Sequence, residues 1–268
     1  MGNKNFYKYA HAYDIAFSDR RFKDECDFLE WCLINKSKLS KKKLKEKSFL
    51  ELGCGPAQHA REFARRNWRS IALDISEDMI EYAKSEAKNE NIDMHTIVAD
   101  MCKYKLKKPV LLTATLMESI SHLVTNEQMI SHFKSAAKNI EPGGIYVIEA
   151  THPMFFFPDD EENTWTTNYG DTSVDITFGA PDDIYNTVTQ QWLITSKLQI
   201  REGNKVVSVT ETKSPIRWYL AEEMKALIEL SCVFDKYWFY GSMYNIPPKP
   251  LDESEESDAM VIVMRTKK

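Results

Sequence analysis

The stretch Phe49-Leu50-Glu51-Leu52-Gly53-Cys54-Gly55-Pro56-Ala57 decides how this chain folds. A short apolar run, an acid and two glycines give way at once to a helical pattern, which spells a strand, a tight turn and a helix N-terminus. Glycines at 53 and 55 let the backbone turn sharply and lie against a ligand with no Cβ in the way. Pro56 suits the first helical position, where a missing N–H loses nothing. Ala60, Phe63 and Ala64 then share one helix face. Nineteen residues past Gly55, a second apolar run, Ser70-Ile71-Ala72-Leu73, ends in Asp74. In an α/β nucleoside site an acid at that place accepts the ribose hydroxyls.

A dinucleotide site needs G-x-G-x-x-G, so that backbone N–H groups cradle a pyrophosphate. Here Gln58 holds the third glycine position and Pro56 has no N–H, which disfavours NAD and FAD. Glu51, two residues before the first glycine, suits a cationic amino group near the turn. The two acids together point to a nucleoside that carries an amino acid.

On these residues the chain resembles the class I S-adenosylmethionine-dependent methyltransferases. Glu51 to Ala57 matches their first motif, E/D-x-G-x-G-x-G, with Ala57 in place of the last glycine. Asp74-Ile75-Ser76 resembles the acid after the second strand, and Val98-Ala99-Asp100-Met101 the segment that meets adenine. Glu141-Pro142-Gly143-Gly144 resembles the lead into strand five. The resemblance covers almost the whole chain and is weakest over residues 151–217.

That resemblance implies an α/β fold, a doubly wound, Rossmann-like and mostly parallel seven-stranded sheet, and methyl transfer from S-adenosyl-L-methionine with S-adenosyl-L-homocysteine as product. Asp74 would fix the ribose, and Asp100 the adenine amino group with Met101 beside it. Ile75 and Met79 would wall the adenine slot. Glu51 and the turn formed by Gly53, Cys54, Gly55 and Ala57 would meet the methionine end. Leu116 and Met117 lie where the fourth strand exits toward the cofactor. Tyr13 belongs to an N-terminal segment that commonly folds over the cofactor in this family, or else is an aromatic helix turn fixed on the core.

Methyl transfer from a sulfonium is an in-line displacement, so the protein chiefly holds the nucleophile about 3 Å from the methyl and excludes water. His122 faces the substrate side in the resembled sheet. It serves either as a general base, with an unperturbed pKa of about 6.5, or as a structural histidine. Phe17 stands where some small-molecule members carry a tyrosine. His152, Phe156 and Trp165 are candidates for acceptor contact. Phe155, Phe157, Tyr169 and Trp192 join them as aromatics that either line an acceptor pocket or pack the surrounding strands. The fourth strand ends in Leu116-Met117-Glu118-Ser119, with no N-P-P-Y-like element, and Pro-Cys is absent throughout. The expected acceptor is therefore an amine or hydroxyl of a small molecule such as an amino sugar. Methylation of a tRNA or protein, and a cofactor-binding module without catalysis, are the alternatives.

A chain of 268 residues accommodates one large core with an insertion. Its net charge of −5 argues against a nucleic-acid partner. No apolar run approaches the roughly 18 to 20 residues that span a bilayer, and the first residues lack a signal-peptide core. Five cysteines without a C-x-x-C pair fit reduced thiols in a cytoplasmic protein. A homodimer is compatible with all of this. The histidines show no metal-ligand spacing. The basic run from Lys36 to Lys47 reads as a phosphate patch or a solvated connection. Without interleaved aromatics for base stacking, the connection is the better reading.

The N-terminal aromatics Phe6, Tyr7, Tyr9, Tyr13 and Phe17 precede an amphipathic helix marked by Phe22, Cys26, Leu29 and Leu33. Ser76 reads as an N-cap, and Thr125-Asn126-Glu127-Gln128 as a capping box. Pro109 to Leu116 reads as a central parallel strand buried on both faces, and Ile145 to Ala150 as the next. From Thr151 the pattern turns to antiparallel strands at 174–178, 187–200 and 205–213, with Glu202-Gly203-Asn204 as a hairpin turn. A helix at 221–230 and strands at 233–240 and 259–265 follow. The expected organisation is an N-terminal helical flap and linker (1–48), an α/β core (49–150), an inserted antiparallel β cap (151–217) and a C-terminal helix and hairpin completing the core sheet (218–268).

Overall fold

A strand covered on both faces must be apolar throughout, and Val110–Thr115 meets that demand with every residue buried. The computed structural model describes residues 10–156 and 163–267; Phe6, Tyr7, Tyr9 and Phe157 lie outside them. In chain order the elements are α1 (Ala10–Ala16), α2 (Phe22–Lys36), α3 (Lys41–Leu44), β1 (Ser48–Leu52), α4 (Gln58–Arg65), β2 (Arg69–Asp74), α5 (Glu77–Asn89), β3 (Met94–Val98), β4 (Val110–Thr115), α6 (Asn126–Asn139) and β5 (Ile140–Ala150). They continue with β6 (Thr164–Tyr169), β7 (Thr172–Phe178), β8 (Ile184–Asn186), β9 (Gln191–Glu202), β10 (Lys205–Ile216), α7 (Ala221–Ser231), β11 (Phe234–Tyr240) and β12 (Met260–Thr266). They divide between two compact units.

The first unit takes in residues 21–156 and 219–267. Its seven strands run in the order β11-β12-β5-β4-β1-β2-β3. Strands β1 to β5 are mutually parallel, while β12 pairs antiparallel with both β5 and β11. From β1 the chain winds outward one way through β2 and β3, then returns to lay β4 on the other side. The carboxyl ends of β1 and β4 therefore flank the point where strand order reverses, where open α/β sheets bind their ligands.

One face is covered by a cluster that includes Phe28, Leu29, Phe49 and Phe63, with the rings of Phe49 and Phe63 4.1 Å apart. The other carries Leu50, Leu52, Phe133 and Tyr146. Both expected caps form. Ser76 Oγ accepts from the Met79 N–H at 3.3 Å, and Thr125 and Gln128 bond reciprocally as a capping box. The basic run is a connection: Ser40 caps α3, Lys43 reaches Glu46 and Glu141, and Lys38 pairs with Asp235 at 2.6 Å. Strand β5 starts at Ile140 rather than Ile145, with Gly144 inside it. A Cβ at Gly144 would sit 2.7 Å from the Leu111 carbonyl oxygen, so that glycine permits a close approach of strands instead of ending a helix.

The second unit consists of residues 10–20 and 163–218. Its antiparallel sheet runs β10-β9-β7-β6, with β8 pairing β9. Helix α1 packs Ala12, Ile15 and Ala16 against Val174, Ile176 and Leu198. Trp165 Nε1 and Thr167 Oγ1 both donate to the Ala16 carbonyl, each at 3.1 Å. Gly203 makes the expected turn between β9 and β10 with φ +55°. Strand β9 begins at Gln191, four residues later than Thr187. Residues 10–20 thus group with the antiparallel strands and 21–48 with the α/β unit, a division the sequence boundaries at 48 and 151 do not make.

Candidate functional site

Three loops meet at the strand-order reversal. Gly53 and Gly55 take φ of +62° and +49°. Ala57 adopts the same left-handed region at φ +61°, where the motif's glycine would be unstrained and alanine costs roughly 1–2 kcal/mol. The Cys54 N–H donates to the Leu73 carbonyl at 3.0 Å, tying the turn to β2. At the end of β2, Asp74 accepts from the Gly55 N–H at 2.8 Å and from the Ser76 N–H at 2.9 Å. The loop after β4 closes the third side. Ser119 Oγ donates to the Gly53 carbonyl at 3.1 Å, and a Cβ on Gly53 would fall 2.8 Å from Ser119 Cβ.

These residues fit the sulfonium nucleoside that the resemblance implies. Asp74 is only partly buried; burial raises its pKa, and the Ser76 and Gly55 N–H groups oppose that rise. Each carboxylate oxygen has a second lone pair for a ribose hydroxyl. Beside it Ile75 is 74 % exposed and Val98 47 % exposed, an apolar lip suited to a flat ring. Asp100 is exposed at the end of β3, with one oxygen holding the Cys102 N–H at 2.7 Å. Met101, partly buried, accepts at its carbonyl from His132.

Several expected contacts are corrected. Glu51 does not offer a carboxylate to a ligand's amino group. It is 4 % exposed, with one oxygen on His59 Nδ1 at 2.8 Å and the other on the Ala60 N–H at 2.8 Å. His59 Nε2 binds Glu25 at 2.6 Å, and Tyr244 donates to the other Glu25 oxygen at 2.6 Å. Burial alone would lower the His59 pKa, but Glu51 and Glu25 override it and hold it at about 9. Glu51 is thus one end of a buried ion network that braces the turn. Met79 is wholly buried, which leaves its side chain no exposed surface to wall an adenine slot. Leu116 is likewise core. Burial pushes the Cys54 thiol well up, so only its backbone belongs to the turn.

His152 is 3 % exposed and does not reach an acceptor. Its Nδ1 takes the Met154 N–H at 3.2 Å, so Nε2 carries the proton and donates to the Asp252 carbonyl at 2.9 Å. His122 ends a 3-10 turn, Ser119–His122, and stays accessible at its edge. Desolvation lowers its pKa, leaving a neutral imidazole at pH 7. Phe156 is buried at 8 %. Tyr13 and Trp165 lie in the antiparallel unit, where Tyr13 packs on Phe17 at 4.6 Å and Trp165 meets Phe17 at 5.4 Å.

Two arrangements escape the sequence reading. His132 bridges Met101 and the Tyr146 hydroxyl, which also meets Thr115 at 2.7 Å. Burial holds His132 down at about 4, so the neutral ring donates through Nδ1 to Met101 and accepts at Nε2 from Tyr146. That relay anchors the Asp100 loop to β4 and β5. The second is Glu118, which with Met117 takes two consecutive left-handed positions at φ +61° and +51°. Thr151 Oγ1 donates to Glu118 at 2.6 Å, and Glu149 accepts the Met117 N–H at 2.8 Å. Burial first, and then Glu149, raise the Glu118 pKa to about 7 against the lowering effect of Thr151. A polar residue next to the end of an apolar strand is the signal that marked it.

Residues 49–144 match the model of a family described as a methyltransferase domain. Over 120 residues the chain is 25 % identical to the dTDP-3-amino-3,4,6-trideoxy-alpha-D-glucopyranose N,N-dimethyltransferase of Streptomyces venezuelae, covering 45 % of this chain and 47 % of that one. The match thus spans about half the length of that curated relative. An S-adenosylmethionine-dependent methyltransferase from Clostridium acetobutylicum has the same fold, with a TM-score of 0.73 over 98 % of this chain and 99 % of that one at 14 % identity. The sugar N-methyltransferase KedS8 from Streptoalloteichus shares it too, with a TM-score of 0.71 over 96 % and 93 % at 14 % identity. Motif, strand order and matched model agree, and residues 49–144 are a methyltransferase domain of the class I S-adenosylmethionine-dependent type.

Proposed function

We propose that this protein moves the methyl group of S-adenosyl-L-methionine to an amine or hydroxyl of a small molecule by in-line displacement. The observation that carries it is Asp74 at the strand-order reversal, bonded to the Gly55 N–H of the glycine turn. A carboxylate there selects a vicinal diol, and the turn leaves backbone polar groups for an amino-acid tail. The bound donor supplies an electrophilic methyl on a sulfonium. The protein's part is to position the nucleophile in line and keep water out, which needs no covalent protein nucleophile.

The Streptomyces relative, named as an amino-sugar N,N-dimethyltransferase, and the Streptoalloteichus neighbour, named as a sugar N-methyltransferase, support a sugar-borne amine as acceptor. Phe156 is a proposed acceptor contact. Five free cysteines fit a cytoplasmic enzyme, and a homodimer fits the reading. Among the described residues no helix is long and apolar enough to cross a membrane.

Titration calorimetry with S-adenosylmethionine tests the reading. Asp74→Asn keeps an acceptor for the turn but loses the charge, and a hydrogen bond to a charged group contributes about 1.5–3 kcal/mol. Binding should weaken roughly 10- to 100-fold. Undiminished affinity in the variant, or tighter binding of a pyridine dinucleotide by the wild type, would sink it.

A further inference from the structure

We infer that His59, held as an imidazolium between Glu51 and Glu25, is a positioning residue: it keeps the glycine turn in the shape that receives the donor's amino-acid tail. The inference rests on the methyl-transfer reading above and adds to it a residue that acts from behind the cradle. Ala57 stands at the N-cap of α4 and gives that helix no side-chain cap. Glu51 supplies one from β1, its Oε2 accepting the Ala60 N–H at 2.8 Å, and a carboxylate suits the positive end of a helix. The residue just ahead of Leu52 thus grips the first turn of α4, so the loop from Gly53 to Ala57 is pinned at both ends. Ser70 Oγ holds the same helical turn from β2 by donating to the Ala60 carbonyl at 2.6 Å.

What aims Glu51 is His59. Its Nδ1 lies 2.8 Å from Glu51 Oε1 and its Nε2 2.6 Å from Glu25 Oε2, with the residue wholly buried. The other oxygen of each acid already accepts, on Glu51 from Ala60 and on Glu25 from the Tyr244 hydroxyl. Carboxylates only accept, and a neutral imidazole carries a single N–H, so the doubly protonated ring is the form that satisfies both contacts. Loss of that proton sets a ring lone pair against a carboxylate oxygen in a buried site, and one side of the clamp has to open. Either opening frees Glu51 to leave Ala60. The groups that bear on this ring are Glu51 on β1, Glu25 and Cys26 on α2 and Tyr244 after β11, with Phe22 edge-on at 5.0 Å. Burial keeps the Cys26 thiol protonated against the pull of Arg66, and Arg21 lies over the Tyr244 ring at 4.8 Å. Against the lowering effect of burial, Glu51 and Glu25 hold His59 at about 9. Donor affinity and His59 protonation are therefore linked, and linkage is reciprocal: a tenfold preference of the donor for the clamped turn raises the His59 midpoint by about one pH unit when the donor is bound.

The test uses the full chain and S-adenosylhomocysteine, which carries the same tail without the labile sulfonium. Nuclear magnetic resonance of 15N-histidine-labelled protein follows the ring nitrogens from pH 6 to 10.5, free and saturated, and calorimetry gives affinity over the same range. His59 is identified as the signal missing from His59→Gln and displaced in Glu25→Gln. In wild type both of its nitrogens should carry protons at pH 7, with a midpoint near 9 that rises by about one pH unit on saturation. Glu25→Gln keeps the shape without the charge; it should lower that midpoint and carry the alkaline fall in affinity to lower pH with it. The ligand's own ammonium titrates at about 8 with every variant, so the limb that moves with Glu25→Gln is the one that belongs to His59. His59→Gln should bind roughly tenfold more weakly at pH 7 and lose the movable limb. The inference is overturned if His59 is neutral at pH 7, if its midpoint is the same free and saturated, or if His59→Gln binds within threefold of wild type. The wild-type and Glu25→Gln measurements decide it even if His59→Gln does not fold. Failure of the wild type to bind S-adenosylhomocysteine at pH 7 overturns the methyltransferase reading itself.

Discussion

The two sheets bury their strands in opposite ways. In the α/β unit β1 and β4 are buried at every position, because helices or loops cover both faces. In the antiparallel unit β10 alternates between exposed and half-buried residues along most of its length, and the hydrophobic cluster centres on six buried residues. The first sheet therefore spends its faces on packing and keeps only its strand ends for chemistry. In the second, one broad surface stays available to vary, and little of the unit's stability depends on any exposed side chain.

Four substitutions break or sharpen that contrast. The largest effect should come from Phe49→Ala, which empties a fully buried site against Phe63. Such truncations cost about 3–5 kcal/mol, and a urea midpoint that barely moves would mean the sheet is less tightly packed than it looks. Next, Gly53→Ala drives a Cβ into Ser119 at 2.8 Å while its φ is +62°. Donor affinity should fall at least tenfold by calorimetry, along with about 2–3 kcal/mol of stability from strain and overpacking. Its counterpart Gly203→Ala has a similar φ of +55° but nothing within 4 Å, so only the backbone penalty of roughly 1–2 kcal/mol applies. Donor binding should not change; a matching loss would remove the distinction between a crowded glycine and an open one. Smallest of all, Val209→Ala on the half-exposed face of β10 should shift stability by less than about 0.5 kcal/mol.

Acidity and alkalinity should both act on the α/β unit, through different histidines. His59 is raised from 6.5 to about 9, so its contribution is complete below pH 6.5 and is lost as pH climbs to about 9. His132 is lowered from 6.5 to about 4, so stability is lost instead as pH falls from 6.5 toward 4. Urea unfolding at intervals from pH 4.5 to 9.5 should show both slopes. The alkaline one should flatten in His59→Gln and the acid one in His132→Gln; unaltered slopes would refute the assignment.

The α/β strands were legible because burial on two faces forces unbroken apolar runs, as in Pro109 to Leu116. Gly53, Gly55 and Asp74 were legible because a tight turn and a strand-terminal acid leave few residue choices. Glu51 was read with the wrong partner. Its acid suits a ligand's amino group on paper, but His59 and Ala60 in the first turn of α4 fold back onto it, and helix geometry eight and nine residues away is not visible as a motif. His152 looked available because its acceptor, the Asp252 carbonyl, lies a hundred residues on. Glu118 carried no signal beyond its place just past an apolar strand, since its setting depends on two backbone dihedrals and on Thr151 just past β5.

The brace behind the glycine turn reaches well outside the stretch that matches the methyltransferase model. His59 lies within residues 49–144, but Glu25 comes from α2 and Tyr244 from the segment after β11. Cutting the chain down to the matched stretch would strand a buried imidazolium with a single counter-ion and leave β5 truncated without its neighbour β12. A minimal fragment designed from motif boundaries alone should therefore fail to hold its turn, and any engineered graft of this domain has to carry both distant tethers with it.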